Sequence, residues 1–250
     1  MKWNNSSVIW LMAALLMVTG CVDPKPKQSK GTAHYMYGLS HLKQQQYTDA
    51  LKEFMLAVEQ DPQRPDFYNA LAQAYQYKKA YPEAEKSYLK ALSLSKNNPE
   101  YQNNLAALYL DMKRWDDAIT YFRQAANNLL FGTPEVASTG VGYAYFQKSN
   151  YLDAIAAYQE AIQKNINYPV AHLRLGEAYY ALEKWDLAVA AYEKAIEVAP
   201  NYVDAHYKLG LAYMKVGEQA KAKNAFAEVL QLAPTTEVGK LAKGYLELLD

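Results

Sequence analysis

"PDFYNALAQAYQYKKAYPEAEKSYLKALSLSKNN", residues 65–98, holds the pattern that decides the fold. Its Ala84 stands twelve residues after a small residue, Ala72, and four before an aromatic, Tyr88. The same triplet recurs along the chain. The central alanines are Ala50, Ala84, Ala118, Ala154, Ala188 and Ala222, at intervals of 34, 34, 36, 34 and 34 residues. The preceding small residue is Gly38, Ala72, Ala106, Gly142, Gly176 or Gly210, and the aromatic is Phe54, Tyr88, Phe122, Tyr158, Tyr192 or Phe226. A small residue lets two helices approach closely, and an aromatic fills the volume beside that contact.

Local chemistry agrees with the period. Pro65, Pro99 and Pro169 sit where a helix begins, a position that tolerates a missing N–H, while Pro62, Pro200 and Pro234 stop second helices. Asp49, Glu83, Asp116, Asp117, Asp153 and Asp186 cluster where each second helix starts, complementing the positive end of its dipole. The sixth repeat departs, with Lys221 there instead. The 36-residue interval inserts two residues near "NNLLFGTPEVAS", 127–138, where the second helix of repeat three is expected to end late and Gly132-Thr133-Pro134 to turn the chain. The pattern resembles the tetratricopeptide repeat, a 34-residue helix-turn-helix unit. That resemblance implies an all-α, right-handed superhelical solenoid of six repeats, at 31–64, 65–98, 99–134, 135–168, 169–202 and 203–236. Residues 237–250 then form a capping helix, with Val238, Leu241, Ala242, Tyr245, Leu248 and Leu249 on the face that covers the last repeat.

Composition sets further bounds. The 250 residues are 51% hydrophobic, with Lys plus Arg equal to Asp plus Glu at 26 each, so no overall field draws the chain to nucleic acid or an anionic surface. The single cysteine excludes an intramolecular disulfide. Val8 to Val18 is an unbroken apolar run of eleven after a positively charged start, the length of a signal-peptide core and too short to span a bilayer, which takes about 20 residues. It ends in Val18-Thr19-Gly20-Cys21, which resembles the bacterial lipobox. The resemblance implies a signal peptide over 1–20 and lipid attachment at Cys21, with two or more acyl chains anchoring at about 0.8 kcal/mol per buried CH₂. Residues 22–30, "VDPKPKQSK", read as a flexible tether with a reach of roughly 30 Å. In the Gram-negative lipoproteins that this signal resembles, Asp after the cysteine favours the inner membrane; Val22 there implies the outer membrane, facing the periplasm.

No HExxH, GxSxG or P-loop is present, and "GVG" at 140–142 lacks the third glycine of a dinucleotide site. His34, His172 and His206 share one repeat position and lie along the solenoid, as does His41, so they read as packing or surface groups and not as a metal centre. The expectation is a non-enzymatic chain with no metal, cofactor, nucleic acid or small-molecule substrate. What remains is a protein-binding groove. Repeat geometry in the family implies that positions 2, 5, 9, 12 and 13 of each unit line a concave surface. In repeats one to three these positions hold Tyr35, Leu39, Leu42, Asn69, Gln73, Gln76, Tyr77, Asn103 and Leu110. In repeats four to six they hold Tyr143, Phe146, Leu173, Tyr180, Tyr207, Leu211 and Met214. Position 5 reads Tyr, Asn, Asn, Thr, Leu, Tyr, which lacks the basic set that clamps a terminal carboxylate, so an extended segment or amphipathic helix of a partner suits the groove better.

Lipobox, tether, six repeats and length together resemble the pilotins, type IV pilus biogenesis lipoproteins of the PilF/PilW kind. Residues 103–154 carry the most telling part, with an asparagine pair and an irregular junction before repeat four. The resemblance implies an adaptor that helps an outer-membrane secretin reach its membrane and multimerise. A lipoprotein that scaffolds peptidoglycan hydrolases or synthases is the alternative, since fold alone does not fix function.

Overall fold

The computed structural model describes residues 30–249; the expected signal peptide, Cys21 and most of the expected tether lie outside them. Thirteen helices follow one another with no strand among the described residues. They pair as α1 (Lys30–Lys43) with α2 (Tyr47–Gln60), α3 (Pro65–Tyr77) with α4 (Tyr81–Leu94), and α5 (Pro99–Asp111) with α6 (Trp115–Ala126). The series continues with α7 (Pro134–Gln147) and α8 (Tyr151–Lys164), α9 (Pro169–Ala181) and α10 (Trp185–Val198), and α11 (Val203–Val216) and α12 (Gln219–Leu232), closed by α13 (Glu237–Leu249). The result is a right-handed solenoid of six helical hairpins.

The small and aromatic columns meet as their spacing predicts. A Cβ added to Gly38, Gly142, Gly176 or Gly210 would lie 2.4, 2.4, 2.5 or 2.7 Å from the ring of Phe54, Tyr158, Tyr192 or Phe226, so each glycine is the face on which its own second helix's aromatic lies. Those rings and the alanine column are fully buried or nearly so. Enclosing each large aromatic contributes roughly 1.5–3 kcal/mol.

The hairpin turns repeat as closely. One residue just past each first helix, Gln45, Lys79, Lys113, Ser149, Glu183 or Gly217, has left-handed backbone, and the N–H that follows it donates back to the carbonyl of His41, Tyr75, Tyr109, Tyr145, Tyr179 or Tyr213. This is the six-to-one closure that satisfies the last carbonyls of a helix. The junctions between repeats are fixed differently. His172 and His206 are buried and donate Nε2–H to the carbonyls of Ile166 (2.9 Å) and Pro200 (2.7 Å), stapling helix to preceding turn. His34 instead meets Glu53 at 2.7 Å.

Two expectations are corrected. α6 ends early, at Ala126, after 12 residues where the other second helices have 14. Asn128 folds the chain back on itself there, accepting Leu130 N–H at 2.9 Å on its side chain and Phe131 N–H at 3.1 Å on its carbonyl. On α13 the core-facing stripe is buried Ala242 with half-buried Val238, Tyr245, Leu246 and Leu249, while Leu241 and Leu248 face solvent. Tyr245 sets this rotation by stacking on Phe226, centroids 4.8 Å apart and planes 8° from parallel.

Candidate protein-binding groove

First helices touch first helices along the row, α1 with α3, α3 with α5, α5 with α7 and α7 with α9, whereas successive second helices do not pack on one another to that extent. The first helices therefore form the tighter, concave side. Its floor divides into two chemically distinct halves.

The first half is an amide ladder. Asn104 Nδ2 donates to Asn69 Oδ1 at 3.0 Å, tying α5 to α3. Two turns on, Gln76 accepts the Tyr88 hydroxyl at 3.0 Å and donates to Asp111 at 2.6 Å, tying the same helices again. The Asn103 amide oxygen is buried without a partner. Tyr35 is half-buried, stacked 5.0 Å from Phe67, and Leu39 and Leu42 pack on the first repeat's core. Gln73 is half-buried, and Leu110 leans on the core of repeat three. Tyr77 is the exposed aromatic of this half, 59% open and stacked on Tyr47 at 4.6 Å.

The second half is a cavity of about 350 Å³ lined by Tyr143, Phe146, Arg174, Glu177, Tyr180 and Lys208, among others. Glu177 receives Arg174 at 2.7 Å and Lys208 at 2.9 Å, so one carboxylate is shared by two cations. Arg174 lies over the Tyr143 ring at 5.3 Å, and the neighbouring carboxylate holds its proton more tightly than usual against the cost of burial. Phe146 meets Tyr151 edge-on at 5.2 Å, and Tyr180 meets Trp185 at 4.6 Å. Tyr207, Leu211 and Met214 are half-buried and extend the apolar floor towards α13. Leu173 is a correction: it is 3% exposed and belongs to the core with Tyr192 and Leu209, because at this position a short aliphatic chain sinks between its own hairpin and the next. Thr139, at the same position of repeat four, is buried too.

Sequence profiles described as tetratricopeptide repeat or TPR repeat match residues 28–65, 63–130, 142–183, 176–217 and 203–236. The chain belongs to the tetratricopeptide-repeat family. Among solved structures it is similar to PilW, described as a widely conserved type IV pilus biogenesis factor: TM-score 0.75 at 19% identity, covering 85% of this chain and 98% of that one. It is similar to PilF of Pseudomonas aeruginosa at TM-score 0.71 and 19% identity, covering 86% and 96%. It is also similar to MamA at TM-score 0.58 and 30% identity, covering 69% and 97%. No curated protein matches its sequence.

As a tetratricopeptide-repeat protein the chain is an adaptor for other proteins. Sequence reading of the groove missed Arg174, Glu177, Lys208 and Asp111. A signal for three of them existed, since Arg174 and Lys208 are basic at the same position of adjacent repeats, with Glu177 one helical turn from Arg174. Among the described residues no three His, Cys, Asp or Glu gather as a metal site, and no helix is long and apolar enough to cross a membrane.

Proposed function

We propose that this adaptor is a pilotin-like lipoprotein, anchored to the outer membrane through Cys21 and acting on the assembly of a type IV pilus secretin by holding a segment of it in the concave groove. The observation that supports this reading most is the match in extent. The superhelix of this chain overlays 98% of PilW and 96% of PilF with 85% and 86% of its own length, where MamA shares 69% of it. The lipobox at Val18-Thr19-Gly20-Cys21 and the polar tether add an anchor of the matching kind. The groove supplies anchors for an extended or helical partner: exposed Tyr77 in one half, and Tyr143 beside Phe146 in the other.

The test is complementation in a pilus-bearing host that lacks the gene, read as heat-stable secretin multimer on a gel. Wild-type protein restores multimer. Cys21→Ala blocks palmitate incorporation and leaves secretin monomeric. The pair Tyr77→Ser with Tyr143→Ser keeps the helical circular dichroism spectrum and loses secretin binding at least tenfold, as removal of aromatic anchors worth on the order of 2 kcal/mol requires. Normal multimer in the gene's absence, with a peptidoglycan defect instead, rejects the pilotin role in favour of the cell-wall scaffold.

A further inference from the structure

We propose that the edge of the solenoid formed by the turns between repeats rests on a lipid surface, with Leu129 and Leu130 inserted into it. These two residues lie in the loop between α6 and α7 and are 100% and 91% exposed, the most open large apolar side chains among the described residues. The loop is built to hold them out. Phe131, next in the chain, is 8% exposed and sits in the core of repeats two to four. Asn128 closes the other side with its two hydrogen bonds to Leu130 and Phe131 N–H, and its own N–H donates to the Ala125 carbonyl at 3.1 Å. A loop that merely absorbed two extra residues would carry polar side chains at its tip; two adjacent leucines fixed in water mark a contact surface.

A third exposed aliphatic chain stands on the same edge. Ile166, 68% exposed, lies on the next turn along the same edge, between α8 and α9. That turn is tied to the leucine loop's flanks by Lys164 Nζ donating to the Ala126 carbonyl at 3.1 Å and Asn165 Nδ2 to Glu135 at 3.4 Å. These three side chains are more than two-thirds open to solvent, a disposition that suits the yielding interior of a lipid layer.

The entry point of the chain identifies the occupant. α1 starts at Lys30 beside the last turn of α2, since a Cβ on Gly31 would lie 3.1 Å from the Ala57 carbonyl and 3.3 Å from Gln60 Cβ. Lys30 is thus on the leucine edge. Cys21 is nine residues earlier, which puts an acyl chain there within roughly 30 Å of it. This orientation rests on the proposed acylation of Cys21. Arg64 and Lys164 of this edge are engaged by Asp66 at 2.6 Å and Glu160 at 2.5 Å, so the contact proposed is apolar insertion.

The test dispenses with Cys21. The helical array from residue 30 onward encloses its own core, so residues 22–250 with an N-terminal hexahistidine are held on phosphatidylcholine vesicles containing a nickel-chelating lipid. A fluorophore on Leu130→Cys, then the protein's only cysteine, is challenged with doxyl-labelled lipid. The reference is Leu152→Cys, equally open to solvent in kind (67% exposed) but at the start of α8, on the opposite edge. Several-fold stronger quenching at 130 than at 152 is expected. A fluorophore on Ile166→Cys is quenched likewise, and adding Leu129→Asp and Leu130→Asp returns it to the level at 152. Equal quenching at 130 and 152 overturns the proposal, and if Leu129→Asp with Leu130→Asp then also abolishes capture of secretin, the loop is a protein contact. Failure of Cys21 to incorporate palmitate removes the anchor from the proposed function and leaves the vesicle result standing.

Discussion

Gly140 and Gly142 form the short "GVG" that matches no nucleotide-binding pattern, and the structure gives each glycine its own ring. A Cβ on Gly142 would lie 2.4 Å from Tyr158, and one on Gly140 would lie 2.6 Å from Phe122 of the preceding hairpin. α7 therefore receives an aromatic on each side, at the junction where the period slips. Both rings are buried, at 0% and 4% exposure, so neither can swing away. Gly142→Ala gains about 1 kcal/mol of helix propensity and loses about 1–3 kcal/mol to overpacking, a net destabilisation read as a lower urea midpoint. Gly244→Ala on α13 has open space around its Cβ and should go the other way, raising stability by about 0.5–1 kcal/mol. Equal effects from the two substitutions would mean that the glycine column reflects composition and not close approach. The role of Gly142 is legible in the sequence because it falls in the repeating column; that of Gly140 is not, because its ring comes from a neighbouring hairpin displaced by the slip.

At the scale of the helical hairpin, six turns share one backbone closure, and only the last places glycine at its left-handed residue. Gln45, Lys79, Lys113, Ser149 and Glu183 adopt positive φ with a Cβ, which costs an L-residue roughly 1–2 kcal/mol. Lys79→Gly, Lys113→Gly and Glu183→Gly are each expected to stabilise by about 0.5–1 kcal/mol. Separate hairpins make the gains nearly additive, so the triple variant should melt several degrees higher. An unchanged melting temperature would show that the extra freedom of glycine in the unfolded chain cancels the relief. Apart from the last, these turns are hard to read in the sequence, since Gln, Lys or Glu at the left-handed residue carries no turn signal, while the helices on either side are announced by period, proline and acid. The early end of α6 is hidden for a related reason. Leu129, Leu130 and Phe131 continue an apolar pattern, and periodicity cannot tell two leucines held in water from two buried ones. Leu173 and Leu110 pose the same problem in the groove: both are apolar at family groove positions, and the neighbouring hairpin decides that one is core and the other floor.

At the scale of the whole molecule, the row of enclosed aromatics is divided equally between phenylalanine and tyrosine. Phe54, Phe122 and Phe226 occupy it in repeats one, three and six; Tyr88, Tyr158 and Tyr192 occupy it in two, four and five. Burial pushes each of these three phenols well above its usual value of 10, because the low-dielectric interior disfavours tyrosinate. The sign of the consequence is fixed. Below pH 10 the phenols are protonated in both states, and stability is insensitive to them. Above pH 10 they ionise in the unfolded chain and stay protonated in the folded one, so stability falls as pH rises, each contributing up to about 1.4 kcal/mol per pH unit. The three sit in three hairpins of a solenoid whose stability is a sum over neighbours, so no single repeat carries the loss. Tyr88→Phe, Tyr158→Phe and Tyr192→Phe together copy what the other repeats already use. At pH 7 the triple variant should lose only about 1 kcal/mol, for the hydrogen bond that Tyr88 donates to Gln76. Between pH 10 and 11.5 its urea midpoint should decline visibly less than that of the wild type, with the remaining slope coming from the other phenols that burial raises, Tyr109 and Tyr213 beside Glu85 and Glu193 foremost among them, and Tyr35, Tyr101, Tyr168, Tyr180, Tyr202 and Tyr207 besides. Parallel declines in the two proteins would show that these phenols ionise without unfolding, and that water reaches the aromatic row through the joints between repeats.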